Sequence, residues 1–542
     1  MKKIKSQAIL IVSTMMLGWG CSDFLAENPK DQIFPADAYA TPELIYANAV
    51  ANIYTLIGSA SGYRGLAGTD RSLYDICELA SDEFILPTRG GDWSDGGLWA
   101  QLYQLDWSTD NGIIKDSWNY LYEVVGKCNS SIDLLSGLLA DAPDNDNYKK
   151  YIAELRSLRA MYYYYLLDMY ARVPLVVSSK TKMSDVRQSD RKEVFEFAVK
   201  ELQESVELLA TDHSNLAGSY YGRMTQGVGY FLLAKLAINA QVFNDNDWTD
   251  NNGVPNGAAT IKENGTDVNA WGKVVEYCDA VTGLGYDLEK DFSTNFAVAN
   301  ETSVENIFVI PMDPTLYSAQ MYYMIRSLNY SHGAAYGYDA WNGASLTKEA
   351  YAVFKTHRDT YGDTRLSKSF YDGAALDADG KQIADSSTGV KVIYQPENVK
   401  LDLSGDAAEK LGGARWAKYE IDKAATEKGK LQHNDYVLFR YADVLLMKAE
   451  ANVRNGVAAG DALSKVRQRS GSTYTGETLD DILNERLLEL SWENWRRNDL
   501  VRFGKFTKTM GDRPTVSAHK IVFPIPEDVM KTMEGYTQNK DY

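Results

Sequence analysis

Residues 151–170 read YIAELRSLRAMYYYYLLDMY, and this stretch indicates the fold class of the chain. Its apolar side chains recur at spacings of three and four, which places them along one face of an α-helix. They are Leu155, Leu158, Tyr162, Leu166 and Met169. The tyrosines at 162–165 fall within this periodicity, so we interpret them as core or helix-packing residues. Val173-Pro174 follows, and the helix is predicted to end before it because proline cannot continue a helix.

The same periodicity recurs along the chain. Further helices are predicted over 191–210, 224–243, 271–284, 437–455 and 479–500. The last of these opens with a capping-box pattern, in which Thr478 precedes Asp481 by three residues. Paired helices of similar length with short turns favour antiparallel hairpins. The predicted fold is therefore mainly α, a stacked scaffold of helical hairpins.

Two long segments lack this periodicity. Residues 286–346 and 363–433 are rich in Gly, Asp, Asn, Ser and aromatic residues, with short strand-like runs at 307–310 and 392–394. Irregular segments of this length inside a compact protein are usually functional. We predict a single domain over 41–542, with a helical scaffold (41–285 and 434–542) that carries a ligand-binding, loop-rich insertion at 286–433 plus a loop at 85–99.

The first twenty residues have the parts of a secretory signal peptide. Lys2, Lys3 and Lys5 precede an apolar run at 8–17 that is too short to span a bilayer, and small residues lead to Cys21. A cysteine in this place is the acylation site of bacterial lipoproteins, so we predict a lipid on Cys21 and an extended arm over 21–40. Ordinary cleavage beside an incidental cysteine is the alternative.

Composition argues against several classes of protein. The formal net charge of −18 disfavours binding to nucleic acid. Cys77, Cys128 and Cys278 show no metal spacing, and we expect small buried hydrophobes, with one disulfide left open. The five histidines are far apart and form no H-x-x-x-H pair. No metal and no cofactor is predicted.

Aromatic residues outside helical periodicity mark a candidate binding site. Residues 88–102, TRGGDWSDGGLWAQL, hold Trp93 between two glycine pairs, with few apolar neighbours to bury it. Trp99 has helical spacing to Leu102, and we assign it to the core. Residues 317–341 add six tyrosines and Trp341. Flat rings match the C–H face of a sugar, and polar side chains match its hydroxyls.

Several phrases, in this order, resemble the SusD/RagB-like outer-membrane lipoproteins of Bacteroidota. They are CSDFLAENPKDQI behind the signal, LASDEF at 79–84, ELRSLRAMYYYYLLDMYARVPLV at 154–176, GRMTQGVGYFLLAKLAINA at 222–240, YVLFRYADVLLMKAEA at 436–451, WENWRRNDLVRFGKF at 492–506 and FPIP at 523–526. The resemblance implies a tetratricopeptide-like helical core with long irregular loops and a few short strands. It also implies a non-enzymatic glycan-binding protein that works with a SusC-like TonB-dependent transporter.

The resemblance also suggests binding residues. Starch-binding members of the family carry an aromatic arc, and the matching positions here are Trp93, Tyr322 or Tyr323, and Trp341. Tyr322 and Tyr323 are adjacent, so both cannot point the same way. Chemistry adds Tyr338 as a further ring, and Asp92, Asp95, Arg89, Arg326 and Asn342 as partners for sugar hydroxyls. For the charged residues among these, plain solvation is the alternative.

We therefore predict a lipid-anchored, surface-exposed protein of the outer membrane. It is expected to capture an oligosaccharide or polysaccharide, with a plant cell-wall type as our guess, and to deliver it to the transporter. One alternative is a peptide-capturing RagB-like lipoprotein. The other is a glycoside hydrolase, which would need a pair of carboxylates at a set distance that no motif singles out.

Overall fold

A computed structural model describes residues 39, 41–58, 65–66, 70–315 and 323–542. The predicted signal peptide, Cys21 and Tyr322 lie outside the described residues. The chain divides into two units, Met1–Asn48 and Ala49–Tyr542. The described part of the first unit contains the helix Pro42–Tyr46, which begins after Thr41, whose hydroxyl accepts from the Leu44 amide.

Long helices form the scaffold of the second unit. They are α1 (Gly112–Asp141), α2 (Asp146–Tyr170), α3 (Arg191–Ser205), α4 (Gln226–Ile238), α5 (Ala270–Gly283), α6 (Lys348–Tyr361), α7 (Tyr441–Arg454), α8 (Asp461–Arg469) and α9 (Leu479–Leu490). Shorter helices span Asn52–Tyr54, Leu73–Leu79, Leu98–Tyr103, Ala240–Phe243, Tyr323–Ser327, Tyr330–Ala334, Arg365–Ser369, Arg496–Arg502 and Glu527–Thr532, and a π-helical turn spans Ala47–Ala51. None of the helices in the described ranges combines the length and the apolar character needed to span a bilayer.

Neighbouring helices pack in sequence. Contacts join α1 to α2, α2 to α3, α3 to α4, α4 to α5, α5 to α7, and α7 to both α8 and α9. The link between α1 and α2 is only residues 142–145, so these two form a helical hairpin. Every residue of α2 from Ser157 to Tyr170 is buried, including the four tyrosines. The mainly α, tetratricopeptide-like helical-hairpin fold is confirmed.

Short antiparallel strands connect distant parts of the chain. The pairs are β1 (Phe84–Ile85) with β5 (Ser345–Leu346), β2 (Thr260–Glu263) with β3 (Thr266–Asn269), β4 (Asn306–Ile310) with β8 (Tyr436–Arg440), and β6 (Phe370–Tyr371) with β7 (Arg415–Trp416). The strand expected at 307–310 is therefore present as β4. The run at 392–394 makes only an isolated bridge, between Ile393 and Ala374.

Three predicted helices are interrupted, and the first of them, 224–243, divides at Asn239 into α4 and the helix Ala240–Phe243. The segment 437–455 begins as strand β8 and becomes helical only at Tyr441. The segment 479–500 breaks after α9, because Trp492 and Asn494 adopt left-handed backbone angles that a helix cannot contain. The capping box before α9 is confirmed, since Thr478 and Asp481 exchange side-chain to backbone hydrogen bonds.

The cysteines behave as small apolar residues. Cys77, Cys128 and Cys278 are all buried and free, so the open question of a disulfide among them is answered in the negative. Burial raises the pKa of the Cys77 and Cys128 thiols to about 12, which keeps both thiols protonated and unreactive.

Candidate functional site

The two loops expected to bind ligand leave the same end of the β1–β5 pair. In this antiparallel pair, Ile85 lies opposite Ser345. The first loop begins after Ile85 and contains Trp93, and the second ends before Ser345 and contains Trp341. The pairing of two short strands therefore brings together two tryptophans that are 248 residues apart.

Trp93 and Trp341 lie side by side, and we refer to them as the tryptophan pair. Their ring centroids are 6.1 Å apart, with the planes tilted by 43°. The Trp93 Nε1–H donates to the Trp341 carbonyl oxygen at 2.9 Å. Both side chains are half-buried. Trp93 is therefore only partly presented to solvent, because its Nε1 edge is bonded to the second loop.

Backbone geometry at the first loop explains its glycines. Arg89 and Asp92 exchange backbone hydrogen bonds across a tight turn, in which Gly90 has a φ of +70°. Trp93 itself has a φ of +61°. A non-glycine residue in this region costs on the order of 1–3 kcal/mol and persists only where its surroundings hold it, as the bond to Trp341 does here.

Tyr330 is one of the six tyrosines of the aromatic segment 317–341, but the sequence did not single it out as a ligand contact. Its side chain is 42% exposed, and its hydroxyl donates to the Asp92 carboxylate, which is itself exposed. Burial and the charge of Asp92 raise the pKa of Tyr330, so the phenol stays protonated. Besides its place in that segment, the local signal is Asn329, which caps the short helix that begins at Tyr330. That cap predicts the helix start, but not the approach to Asp92.

Three predicted hydrogen-bond partners for the sugar are buried instead. Arg89 is 2% exposed and donates to the carbonyl oxygens of Gly343 and Lys410. Arg326 donates to Asp75 at 2.5 Å, and the Asn342 side-chain oxygen accepts from Arg415 at 3.1 Å. Their predicted direct contact with a glycan is wrong, because their polar groups face the interior and bond to protein.

Two predicted ligand rings are also part of the core. Tyr323 is buried, stacks on Trp416 at 4.9 Å between centroids, and shares a hydrogen bond with the Tyr436 hydroxyl. Tyr338 is buried and donates to the Asp422 carbonyl oxygen at 3.1 Å. Both are therefore packing residues, which corrects the prediction for them. The assignment of Trp99 to the core is confirmed.

Asp95 remains at the surface beside the tryptophan pair. It accepts from the Trp99 indole at 2.5 Å and from Arg71 at 3.0 Å. The site residues that retain solvent access are thus Trp93, Trp341, Tyr330, Asp92 and Asp95. In the part of the chain that the structure describes, no three His, Cys, Asp or Glu side chains converge as a metal site.

Known protein families and proteins match this chain in both the helical scaffold and the two loops of the site. The SusD family model matches residues 304–516, and a model described as "Starch-binding associating with outer membrane" matches residues 88–238. The starch-binding protein SusD of Bacteroides thetaiotaomicron is 23% identical over 522 residues, covering 88% of this chain and 86% of that protein. A SusD-like protein of Bacteroides ovatus is 23% identical over 515 residues, covering 93% and 83%.

Solved structures show the same fold. Surface glycan-binding protein A from Bacteroides fluxus superposes with a TM-score of 0.69 at 19% identity, covering 93% of this chain and all of that one (100%). A laminarin-binding SusD-like protein gives a TM-score of 0.69 at 20% identity, covering 92% and 99%. The two family models together match more than half of the chain, in ranges that contain Trp93 and Trp341, and the chain therefore belongs to the SusD/RagB-like family.

Proposed function

We propose that this protein captures an oligosaccharide or polysaccharide at the tryptophan pair. The observation that carries this proposal is the meeting of two half-buried indoles from distant loops, beside the exposed ring of Tyr330. Aromatic faces stack on the C–H faces of sugar rings, and the Asp92 and Asp95 carboxylates can accept from their hydroxyls. Relatives named for binding starch or laminarin support the proposal.

The affinity of such a site is expected to be low. Sugar hydroxyls are well hydrated before binding, so only a part of the contact energy appears as affinity. We expect dissociation constants in the range of about 1 μM to 1 mM. Weak binding suits a protein that captures a ligand and then releases it to a partner.

The rest of the role is proposed from the family and the signal sequence. A lipid on Cys21 would hold the protein on the outer membrane, with its body at the cell surface. The proposed partner is a SusC-like TonB-dependent transporter, to which the glycan is delivered without being cleaved. The Trp93, Trp341, Asp92 and Asp95 side chains are the proposed contacts.

Affinity electrophoresis against a panel of polysaccharides tests the binding site. We expect at least one polymer to retard the wild-type protein. Trp341→Ala should weaken binding about 3- to 10-fold, the effect of losing one aromatic contact of 0.5–1.5 kcal/mol. The matched control is Tyr148→Ala, which removes a half-buried ring from α2, outside the site.

Three results would contradict the proposal. Equal retardation of the Trp341→Ala and wild-type proteins would place the glycan elsewhere. Release of soluble sugar by the purified protein would indicate a hydrolase. Retardation by no polymer, together with saturable binding of peptides, would favour the peptide-capturing alternative.

A further inference from the structure

We propose that Arg326 is a positioning residue, which fixes the two indoles of the tryptophan pair relative to each other without touching the glycan. The inference rests on the proposed function and extends it to a residue behind the site. Arg326 lies in the short helix Tyr323–Ser327, and its side chain is 2% exposed. A ligand on the protein surface has no access to it.

The guanidinium group of Arg326 contacts two indoles at once. Its central carbon, Cζ, lies 5.7 Å from the ring centroid of Trp93 and 5.6 Å from the ring centroid of Trp99. These two rings pack edge to face, with centroids 6.1 Å apart. Cation–π attraction is strongest where water is excluded, as it is here. Arg326 therefore holds Trp93 against the buried Trp99 from the protein side.

Two carboxylates hold the guanidinium in place. Nη1 of Arg326 donates to Asp75 at 2.5 Å, and Nη2 lies 3.8 Å from Asp70. Burial by itself lowers the pKa of Arg326, but the charges of Asp75 and Asp70 more than offset it, and the pKa is raised. The group is thus a permanent cation. Asp75 belongs to the capped helix Leu73–Leu79, which gives it a fixed position.

The backbone around Arg326 holds the other indole. The Ile325 carbonyl oxygen accepts from the Trp341 amide at 2.6 Å. The Arg326 carbonyl oxygen accepts from the amides of Gly343 and Ala344, at 2.7 and 2.9 Å. One short segment therefore fixes Trp93 through a side chain and the loop of Trp341 through its main chain. An arrangement that is already fixed lowers the entropy cost of binding.

Arginine is specifically suited to this place. Its planar group can cover a ring and bond a carboxylate in the same plane, whereas lysine offers one compact charge on a flexible chain. Arg326→Lys should therefore keep the ion pair with Asp75 and lose the contact with the two rings. An effect of Arg326→Lys on the tryptophan pair would therefore come from the lost ring contact, because the charge beside Asp75 is kept.

Circular dichroism measures the arrangement directly, without ligand. Two indoles at 6.1 Å couple their far-ultraviolet transitions and give a paired band of opposite signs. The Trp93–Trp99 and Trp416–Trp492 pairs couple as well, so the contribution of the tryptophan pair is the couplet in the difference spectrum between the wild-type protein and Trp341→Phe. Arg326→Lys should lose at least about half of its amplitude, and glycan affinity should fall about 3- to 10-fold. Asp75→Asn weakens the ion pair that holds the guanidinium group, and it should give a smaller loss of couplet amplitude and of glycan affinity.

Arg513→Lys is the matched control, because Arg513 is equally buried, bonds the carbonyl oxygens of Ala80 and Ser81, and lies over the ring of Tyr103 instead of an indole of the tryptophan pair. It should lower the melting temperature as much as Arg326→Lys, with couplet and affinity unchanged. The proposal is overturned if the couplet of Arg326→Lys has the same amplitude as that of Arg513→Lys. A loss of affinity with an intact couplet would also overturn it, because such a loss indicates direct contact with ligand. The couplet needs no glycan, so it remains decisive if the proposed glycan binding fails.

Discussion

Gly343 determines how closely the tryptophan pair packs. A Cβ atom at this position would lie 2.6 Å from Cε2 of Trp93 and 2.8 Å from the Arg326 carbonyl oxygen. Gly343→Ala should therefore displace Trp93 and destabilise the protein by about 1–3 kcal/mol. Glycan affinity should fall with it, because the two indoles no longer share one surface. Urea denaturation and affinity electrophoresis measure the two effects.

The control for this prediction lies in the loop of Trp93 itself. Gly91 has an ordinary φ, and a Cβ there would have no atom within 4 Å. Gly91→Ala should leave stability and affinity unchanged. If Gly343→Ala binds glycan as well as Gly91→Ala does, the close packing of the two indoles is not needed for binding.

Residue type alone did not reveal which side chains reach solvent. Arg89, Arg326 and Asn342 have the chemistry of sugar-binding residues, and each lies in or beside an aromatic loop. Whether their polar atoms face water depends on partners far along the chain, such as Asp75 for Arg326 and Arg415 for Asn342. Trp93 and Trp341 could be singled out, because large rings among glycines and polar residues are unusual.

At the scale of elements, periodicity predicted most helices but not how the site is assembled. The apolar residues of α1 recur at helical spacing as well (Ile114, Trp118, Leu121, Val125 and Cys128), so this helix was predictable although it was not predicted. The β1–β5 pair is different. Strands of two residues are too short to show alternation, and Phe84 pairs with Leu346, nearly half of the chain away. The meeting of the two loops therefore could not be predicted.

A buried pair of carboxyl groups joins three elements near the site. Glu78, in the helix Leu73–Leu79, accepts from the Asn494 amide at 2.6 Å. Glu83, next to β1, accepts from the Trp492 amide at 2.8 Å. Burial raises the pKa of Glu78 to about 7, and burial together with the charge of Glu78 raises the pKa of Glu83 further. The pair therefore retains at least one proton at neutral pH.

This pair should make the protein less stable as pH rises. The folded state keeps protons that the unfolded chain, with a pKa of 4.5, releases. The free energy of unfolding should therefore fall between about pH 4.5 and 7, by about 1.4 kcal/mol for each unit of pKa shift. Glu83→Gln keeps an acceptor for the Trp492 amide and removes one of the two titrating groups. The free energy of unfolding of Glu83→Gln should fall less than that of the wild-type protein as pH rises.

Urea midpoints at several pH values from 4.5 to 8 check this prediction. Glu534→Gln is the control, because Glu534 is exposed and near the C-terminus. It should reproduce the wild-type pH profile. A Glu83→Gln profile with the same slope as wild type would show that the buried pair does not hold the extra protons.

At the scale of the whole molecule, a buried ionic cluster joins the insertion to the C-terminal scaffold. Its centre is Glu489 of α9, whose carboxylate pairs with Arg440 at 2.6 Å, with Arg365 at 3.1 Å and with Arg469. All four side chains are at most 4% exposed. These arginines come from three different regions of the chain. The cluster therefore specifies how the helix Arg365–Ser369, strand β8 and helix α8 meet around α9.

Removing the central charge should be costly. Burial alone would raise the pKa of Glu489, but the three guanidinium groups more than offset it, and the pKa is lowered. Its contribution to stability is therefore present above pH 4.5 and lost as pH falls below that value. In Glu489→Gln the three arginines keep their other carboxylate partners, but one buried positive charge is left uncompensated, which should cost about 3–5 kcal/mol at pH 7.

Urea denaturation at pH 7 and pH 3 tests this prediction, with Glu427→Gln as the control on an exposed residue. We expect a large loss of stability for Glu489→Gln at pH 7, a smaller one at pH 3, and no change for the control at either pH. Equal losses at both pH values would attribute the effect to shape rather than charge. Because the Glu489 carboxylate pairs with Arg365, Arg440 and Arg469 and with neither tryptophan of the pair, folded Glu489→Gln protein should keep the couplet of the tryptophan pair, which separates the stability of the scaffold from the geometry of the site.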